Sequence, residues 1–297
     1  MKIEKLSGLI AAPHTPFDRS GEVAYDLIPA VVEHLLRSGV TGAYICGTTG
    51  EGVSCSVDER IRIMETWHRA SAGRLKLIAH IGALSITDVR TLGRRANELG
   101  GMMVSVVPAN YYKPASVPAL VEFCRAAAES APDCPFYYYH SIMSNIHLSM
   151  RDFLLQADGV IPTLAGIKFN SQDLYEYQNC VNALDGKYDI VYGVDEFFAG
   201  ALALGARAFI GSTYNYAAPL YRKIWDDFDA NRRDEVISGM KKVCALVDQL
   251  VKHGGIAAGK AYMLAHGFDL GDVRPPLTPL SAAAKAEIVE RYRRVMG

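Results

Sequence analysis

Leu164-Ala-Gly-Ile-Lys-Phe169 is an apolar run of strand length, with Lys168 near its end and the polar Asn170-Ser-Gln-Asp173 directly after it. An amine at the end of a buried strand is poorly solvated. Desolvation disfavours the ammonium form and lowers the lysine pKa toward neutrality. A neutral amine can attack a ketone and form a Schiff base. The plainer alternative is a strand-end lysine that lays its stem on apolar neighbours and reaches water. Taken alone, the run favours that alternative, so the surrounding pattern has to decide.

Seven further runs of the same size flank this one. Gly8–Ala12, Gly42–Cys46, Lys76–His80, Met102–Val107 and Pro135–Tyr139 precede it, and Asp189–Tyr192 and Ala208–Gly211 follow. Amphipathic stretches lie between them. Ile28, Val31, Val32, Leu35 and Leu36 repeat at helical spacing, and Ile61–Trp67, Val89–Leu99 and Val117–Ala128 do the same. Leu220–Phe228 is also helical in period, with Pro219 as a helix-start signal. Strand and helix in alternation imply a parallel sheet with helical crossovers. Eight such strands fit an α/β (β/α)8 TIM barrel, which typically takes ~250 residues. An open doubly wound sheet is the alternative, but no GxGxxG turn follows the first strand. After Asn231 the strands stop. Arg232–Lys252, Ile256–His266 and Ser281–Met296 read as helices, with Pro275, Pro276 and Pro279 breaking the last connection. The expected organisation is a catalytic barrel over 1–230 and a C-terminal helical extension over 231–297, packed on the barrel.

Composition narrows the function classes. The 297 residues are half hydrophobic and carry a net charge of −1. A nucleic-acid or membrane-surface protein would need a basic face. No apolar stretch approaches the ~20 residues of a membrane span, and the N-terminal run is too short for a secretory signal. The six cysteines are scattered without a CxxC pair, which reads as reduced thiols in a cytoplasmic protein.

In a barrel of this kind the active site lies at the C-terminal ends of the strands, so the polar residues just after each run are the candidates. The second run ends in Cys46-Gly-Thr-Thr-Gly-Glu-Gly52. Its glycines allow close backbone approach, and Thr48 and Thr49 with free amide donors can hold a carboxylate. The alternative is an ordinary glycine turn into the helix after Ser56. The fifth run ends Phe136-Tyr-Tyr-Tyr139. Alternation sends Tyr137 and Tyr139 to one side and Tyr138 to the other. A strand-end tyrosine can pass a proton, although packing is the commoner use of any one of the three. Gly193-Val-Asp-Glu196 offers two adjacent carboxylates, for sugar hydroxyls or simply for a helix start. Gly211-Ser-Thr-Tyr-Asn215 is a further small polar loop.

Two patterns lead nowhere. Gly254-Gly-Ile-Ala-Ala-Gly259-Lys260 nearly spells a phosphate loop, but Ala261 stands where Ser or Thr is needed and no strand precedes it. The eight histidines form no HxH, HxxxH or HExxH set, so a metal-dependent aldolase or hydrolase is poorly supported. His34 and His68 fall in helical patterns and read as structural.

Gly47-Thr-Thr-Gly-Glu51, Tyr139, Gly166-Ile-Lys168, Gly193-x-Asp-Glu196 and Gly211-Ser-Thr-Tyr-Asn215 resemble, in order and spacing, the N-acetylneuraminate lyase branch of the dihydrodipicolinate synthase-like class I aldolases. The likeness runs over nearly the whole chain. It implies that Lys168 forms a Schiff base with the C2 ketone of sialic acid and that Tyr139 takes the C4 hydroxyl proton, through the bound carboxylate. It implies that Thr48 and Thr49 hold that carboxylate, while Gly193, Asp195, Glu196 and Ser212 contact sugar hydroxyls. Tyr111, in Asn110-Tyr-Tyr112, matches the tyrosine that relatives donate to a neighbouring subunit, which implies a homotetramer. The implied products are N-acetylmannosamine and pyruvate, formed without a metal or organic cofactor.

The chain departs from the family pattern twice. Relatives carry a Pro and a Thr/Ser-Gly soon after the active tyrosine. Here Tyr139-His-Ser-Ile-Met-Ser-Asn145 has neither and is one residue shorter. Asn170 stands where the lyases carry a hydroxyl residue, two after the lysine, and could still contact substrate. The pattern also separates two rivals. Dihydrodipicolinate synthase needs an arginine five residues after the tyrosine, and Ser144 occupies that position, leaving an anionic group without its bidentate partner. An aldolase or dehydratase for another 2-keto-3-deoxy sugar acid shares the lysine, tyrosine and carboxylate loop. It would differ at Asp195, Glu196 and residues 140–145. A non-catalytic sugar-binding barrel would have no need to keep Lys168 and Tyr139 together.

Overall fold

The computed structural model describes residues 3–108 and 111–297. Eight strands close into a parallel barrel in chain order. They are β1 (Gly8–Ala11), β2 (Gly42–Ile45), β3 (Lys76–His80), β4 (Met102–Val106), β5 (Phe136–Ser141), β6 (Leu164–Asn170), β7 (Asp189–Tyr192) and β8 (Ala208–Gly211). The helices between them are α1 (Ile28–Arg37), α2 (Val57–Ser71), α3 (Ile86–Leu99), α4 (Val117–Ala128), α5 (Met150–Ala157), α6 (Leu174–Asn182), α7 (Phe198–Ala203) and α8 (Tyr214–Asp229). Local chemistry marks their starts. Ser56 and Glu59 form a reciprocal capping box at α2, and Ser116, Ser149 and Asp173 each accept a backbone N–H at the starts of α4, α5 and α6. No described helix is long and apolar enough to cross a membrane.

Two cores follow from strand alternation. Leu9, Ala11, Ile45, Leu77, Val104 and Phe136 face outward to the helices, while Ile10, Tyr44, Ile78, Met103, Tyr137 and Tyr139 fill the barrel. Tyr137 and Tyr139 therefore share the inner face and Tyr138 the outer one, as alternation requires. Near the N-terminal end of the barrel, the Tyr137 hydroxyl donates to Asp189 Oδ2 at 2.9 Å, and the Leu6 amide donates to the same oxygen at 2.9 Å.

A bulge interrupts this regularity. Phe136 pairs with Leu164, but the next residue, Tyr137, pairs with Gly166, so Ala165 is an extra residue in β6. Leu164 faces outward. Strict alternation from it would turn Lys168 outward too. The extra residue reverses the parity: Ile167 and Phe169 pack on the outer core, and Lys168 points into the barrel.

The structure corrects the helix start at Pro219. Helix α8 begins at Tyr214 and carries Pro219 inside it. A proline there cannot donate to the carbonyl four residues back. That carbonyl belongs to Asn215, and it is satisfied by His34 Nε2 at 2.8 Å. His34 is buried and structural for this reason. Three short helices, α5, α6 and α7, escaped the periodicity analysis because six to nine residues hold barely two turns.

Beyond Asn231 lie α9 (Arg233–His253), α10 (Gly255–Leu264) and α11 (Ala282–Met296). Helix α9 packs on α8, and α10 and α11 pack on α9 and on each other. The Tyr292 hydroxyl donates to Tyr216 O at 2.5 Å, which ties α11 to α8.

Candidate active site

Lys168 and Tyr139 occupy paired register positions on neighbouring strands. Their side chains consequently leave the sheet side by side on the inner face. Both are buried, at 5% and 3% exposure. Lys168 Nζ lies 3.9 Å from the ring centroids of both Tyr44 and Tyr139, so the amine sits between two aromatic faces. The Tyr139 hydroxyl is 3.5 Å from Thr48 Oγ1, and Asn170 Nδ2 donates to it at 3.5 Å. Asn170 follows Lys168 by two residues and shares its face.

Electrostatics tune this pair in opposite senses. Burial pushes the Lys168 pKa below its ordinary value, and the Tyr139 phenol beside it recovers only part of the loss. Burial alone would raise the Tyr139 pKa, but the Lys168 charge, with hydrogen bonds from Thr48, Ser141 and Asn170, outweighs it and holds the phenol below its usual range. The amine is eased toward its neutral form and the phenol toward its anion. One can act as a nucleophile and the other can exchange a proton.

A cavity of about 670 Å³ opens over the pair. Thr48, Thr49, Asn170, Gly193, Asp195, Glu196 and Ser212 line it together with Lys168 and Tyr139. Tyr111 does not. It is 79% exposed, with its ring packed edge-on to Tyr112 at 5.0 Å. Asn110, from the same motif, lies outside the described residues. Ile142 and Met143 of the shortened loop form an apolar part of the wall, and His253 and Ile256 of the C-terminal helices close another side.

The acidic pair divides its work. Asp195 is buried, and its Oδ2 accepts from the Thr213 amide at 3.0 Å and the Thr213 hydroxyl at 2.7 Å. Its Oδ1 has no protein donor and lies in the space that a Cβ on Gly211 would fill. Burial raises the Asp195 pKa to about 6, against the lowering effect of Thr213. Glu196 is half-buried on the cavity wall.

Sequence reasoning missed several supporting residues. Tyr44 supplies one face of the lysine slot and donates to Ser105 Oγ at 3.0 Å. His80 packs edge-on to Tyr139, with ring centroids 6.1 Å apart. The Val107 amide donates to His80 Nε2 at 3.2 Å, so Nδ1 carries the proton toward Cys46 O, 3.2 Å away. Burial, with Arg60 and Lys168 nearby, keeps that imidazole neutral. Tyr44 and His80 both stand in or at the end of apolar runs, where the strand-end filter could have found them. Thr213 stands in the singled-out Gly211–Asn215 loop, but its pairing with Asp195 carried no signal, because the two lie on different loops. Among the described residues, no three His, Cys, Asp or Glu side chains are grouped as a metal ion would need.

The family model for the Dihydrodipicolinate synthetase family matches residues 5–293. The solved structure of Proteus mirabilis N-acetylneuraminate lyase is 50% identical over 98% of this chain and 99% of that one, with a TM-score of 0.97. The N-acetylneuraminate lyase (sialic acid aldolase) of Aliivibrio salmonicida is also 50% identical, over 99% of this chain and 98% of its own, with a TM-score of 0.97. The N-acetylneuraminate lyase of Danio rerio is 33% identical over 298 residues, covering 98% of this chain and 96% of that protein.

Proposed function

Because the chain belongs to the dihydrodipicolinate synthetase family, we propose that it is a class I aldolase that cleaves N-acetylneuraminate to N-acetylmannosamine and pyruvate. The observation that carries this reading is the buried Lys168 beside Tyr139, at paired positions on β6 and β5, on the floor of the cavity. Lys168 as the free amine adds to the C2 ketone and water leaves, giving a protonated imine. Tyr139 accepts the C4 hydroxyl proton, relayed by the substrate carboxylate. The C3–C4 bond breaks, its electron pair flows to the imine nitrogen, and N-acetylmannosamine departs. Protonation of the enamine at C3 and hydrolysis then release pyruvate and free Lys168.

Thr48 and Thr49 hold the carboxylate within reach of Tyr139, a role supported by the 3.5 Å approach of Thr48 Oγ1 to the phenol. Gly193, Asp195, Glu196, Ser212 and Asn170 meet the sugar hydroxyls. Ile142 and Met143 suit the methyl of an acetamido group, which favours the N-acylated sugar over a bare 2-keto-3-deoxy acid. Tyr111 reaches a neighbouring subunit's site in a homotetramer, consistent with its exposure. The chemistry needs no metal or organic cofactor and suits a cytoplasmic enzyme of small-molecule metabolism.

The test is pyruvate release from N-acetylneuraminate, with a non-acylated 2-keto-3-deoxy sugar acid alongside and Lys168→Ala as control. Wild type releases pyruvate from the acylated sugar, and folded Lys168→Ala releases none. Turnover by Lys168→Ala near that of wild type would remove the Schiff base. Preference for the bare acid would move the substrate assignment to that class.

A further inference from the structure

The lysine that ends Gly254–Lys260 does not reach solvent. Helix α10 carries it inward, where its side chain is 3% exposed, and its Nζ stands 3.0 Å from Oε1 of Glu51, whose side chain is wholly buried. Lys260 Nζ also donates to Asp272 O at 3.0 Å and lies 4.1 Å from the Phe17 ring centroid. Glu51 Oε1 has no other partner among the described residues. Its Oε2 accepts from the Arg274 amide at 2.8 Å. Both contacts come from the C-terminal segment beyond the barrel.

Glu51 closes the loop that carries Thr48 and Thr49, and the loop is held in an unusual shape. Glu51 adopts left-handed backbone angles, φ 51° and ψ 32°, which a residue with a side chain rarely takes. The Glu51 amide donates to Thr48 O, and Thr15 Oγ1 donates to Gly50 O at 2.6 Å. A Cβ on Gly52 would overlap the Cys46 carbonyl. His14 packs against Gly259 in the same interior. A buried ion pair contributes little net stability, but removing one partner leaves an uncompensated charge.

We propose that Lys260 is a positioning residue for the carboxylate-binding loop: through Glu51 it clamps the backbone that aims Thr48 and Thr49 at the substrate carboxylate. The C-terminal helices are then part of the binding machinery, although α10 supplies no group to the carboxylate itself. This rests on the reading of Thr48 and Thr49 as carboxylate ligands.

The experiment measures pyruvate affinity, by borohydride trapping on Lys168 over a range of pyruvate concentrations, together with KM and kcat for N-acetylneuraminate. It uses full-length wild type, Lys260→Met, Glu51→Gln and the double variant, each checked by thermal denaturation. Lys260→Met weakens pyruvate binding and raises KM by about tenfold or more, with a smaller change in kcat. Combining it with Glu51→Gln weakens binding little further than Lys260→Met alone, because both changes act on the same contact. Unchanged pyruvate affinity in folded Lys260→Met overturns the proposal, and so does a double variant in which the losses of the two single variants simply add. If Lys260→Met does not fold, Glu51→Gln decides: weakened pyruvate binding supports the clamp, and wild-type affinity overturns it. Wild type that traps no pyruvate would instead refute the aldolase reading on which the proposal stands.

Discussion

Asp195→Asn is expected to make the protein more stable at alkaline pH while impairing its chemistry. The buried carboxyl has its pKa carried from 3.8 to about 6, chiefly by desolvation. The folded state thus holds this proton more tightly than the unfolded chain, and unfolding releases it between those pH values. Stability from this group is fully present below about pH 4 and is lost as pH rises through about 6. At 1.36 kcal/mol per pH unit, the loss is about 3 kcal/mol at pH 8 as an upper bound, and roughly half of that at pH 5. Asparagine keeps an acceptor for the Thr213 amide and hydroxyl. The variant should exceed wild type by ~1–3 kcal/mol at pH 8, a gain of roughly 2–6 °C in Tm for a chain of this size. Paired thermal melts from pH 5 to pH 8 read the gap. Turnover of N-acetylneuraminate should fall, because the cavity wall loses a carboxylate whose charge strengthens hydrogen bonds from substrate hydroxyls. A variant less stable than wild type at pH 8, or a gap that does not shrink on acidification, would refute the reasoning.

Tyr139→Phe should lower kcat by about 10²-fold or more while borohydride still traps pyruvate on Lys168, since only proton transfer is lost. Unchanged kcat would remove Tyr139 from the mechanism. Lys168 attacks only as the free amine, so kcat/KM should rise with pH along its acid limb. Tyr139→Phe should shift that limb to lower pH, because the phenol raises the Lys168 pKa. A shift to higher pH in the residual activity would contradict the coupling. His34→Ala should cost about 1–3 kcal/mol in thermal or urea unfolding, by stripping the Asn215 carbonyl of its donor. Adding Pro219→Ala restores a backbone N–H and should recover part of that loss. A double variant no more stable than His34→Ala would show that the carbonyl is not the cause.

The strand-end filter worked because a parallel barrel gathers its strand ends at one rim. Thr48, Thr49, Tyr139, Lys168, Gly193, Asp195, Glu196 and Ser212 were all legible there, and all line one cavity. The periodicity of Ile28–Leu36 and Val117–Ala128 was strong enough to place α1 and α4 within a residue. Pro219 misled because its local meaning is a helix start, whereas His34, from a helix far back in the chain, supplies the donor that lets the helix run through it.

Local physics therefore determined the alternating elements, the barrel and the rim on which its chemistry collects, since hydrophobic period and turn residues act over a few positions. Tertiary structure decided which way Lys168 points. Leu164-Ala-Gly-Ile-Lys168 alternates outward when read alone, and only pairing with β5, which accommodates Ala165 as an extra residue, turns the amine inward. It also decided that Lys260 meets Glu51 and that Thr213 meets Asp195. Such partners are set by the closure of the barrel and the docking of its tail, and no local pattern of residues encodes a contact made across so much intervening chain.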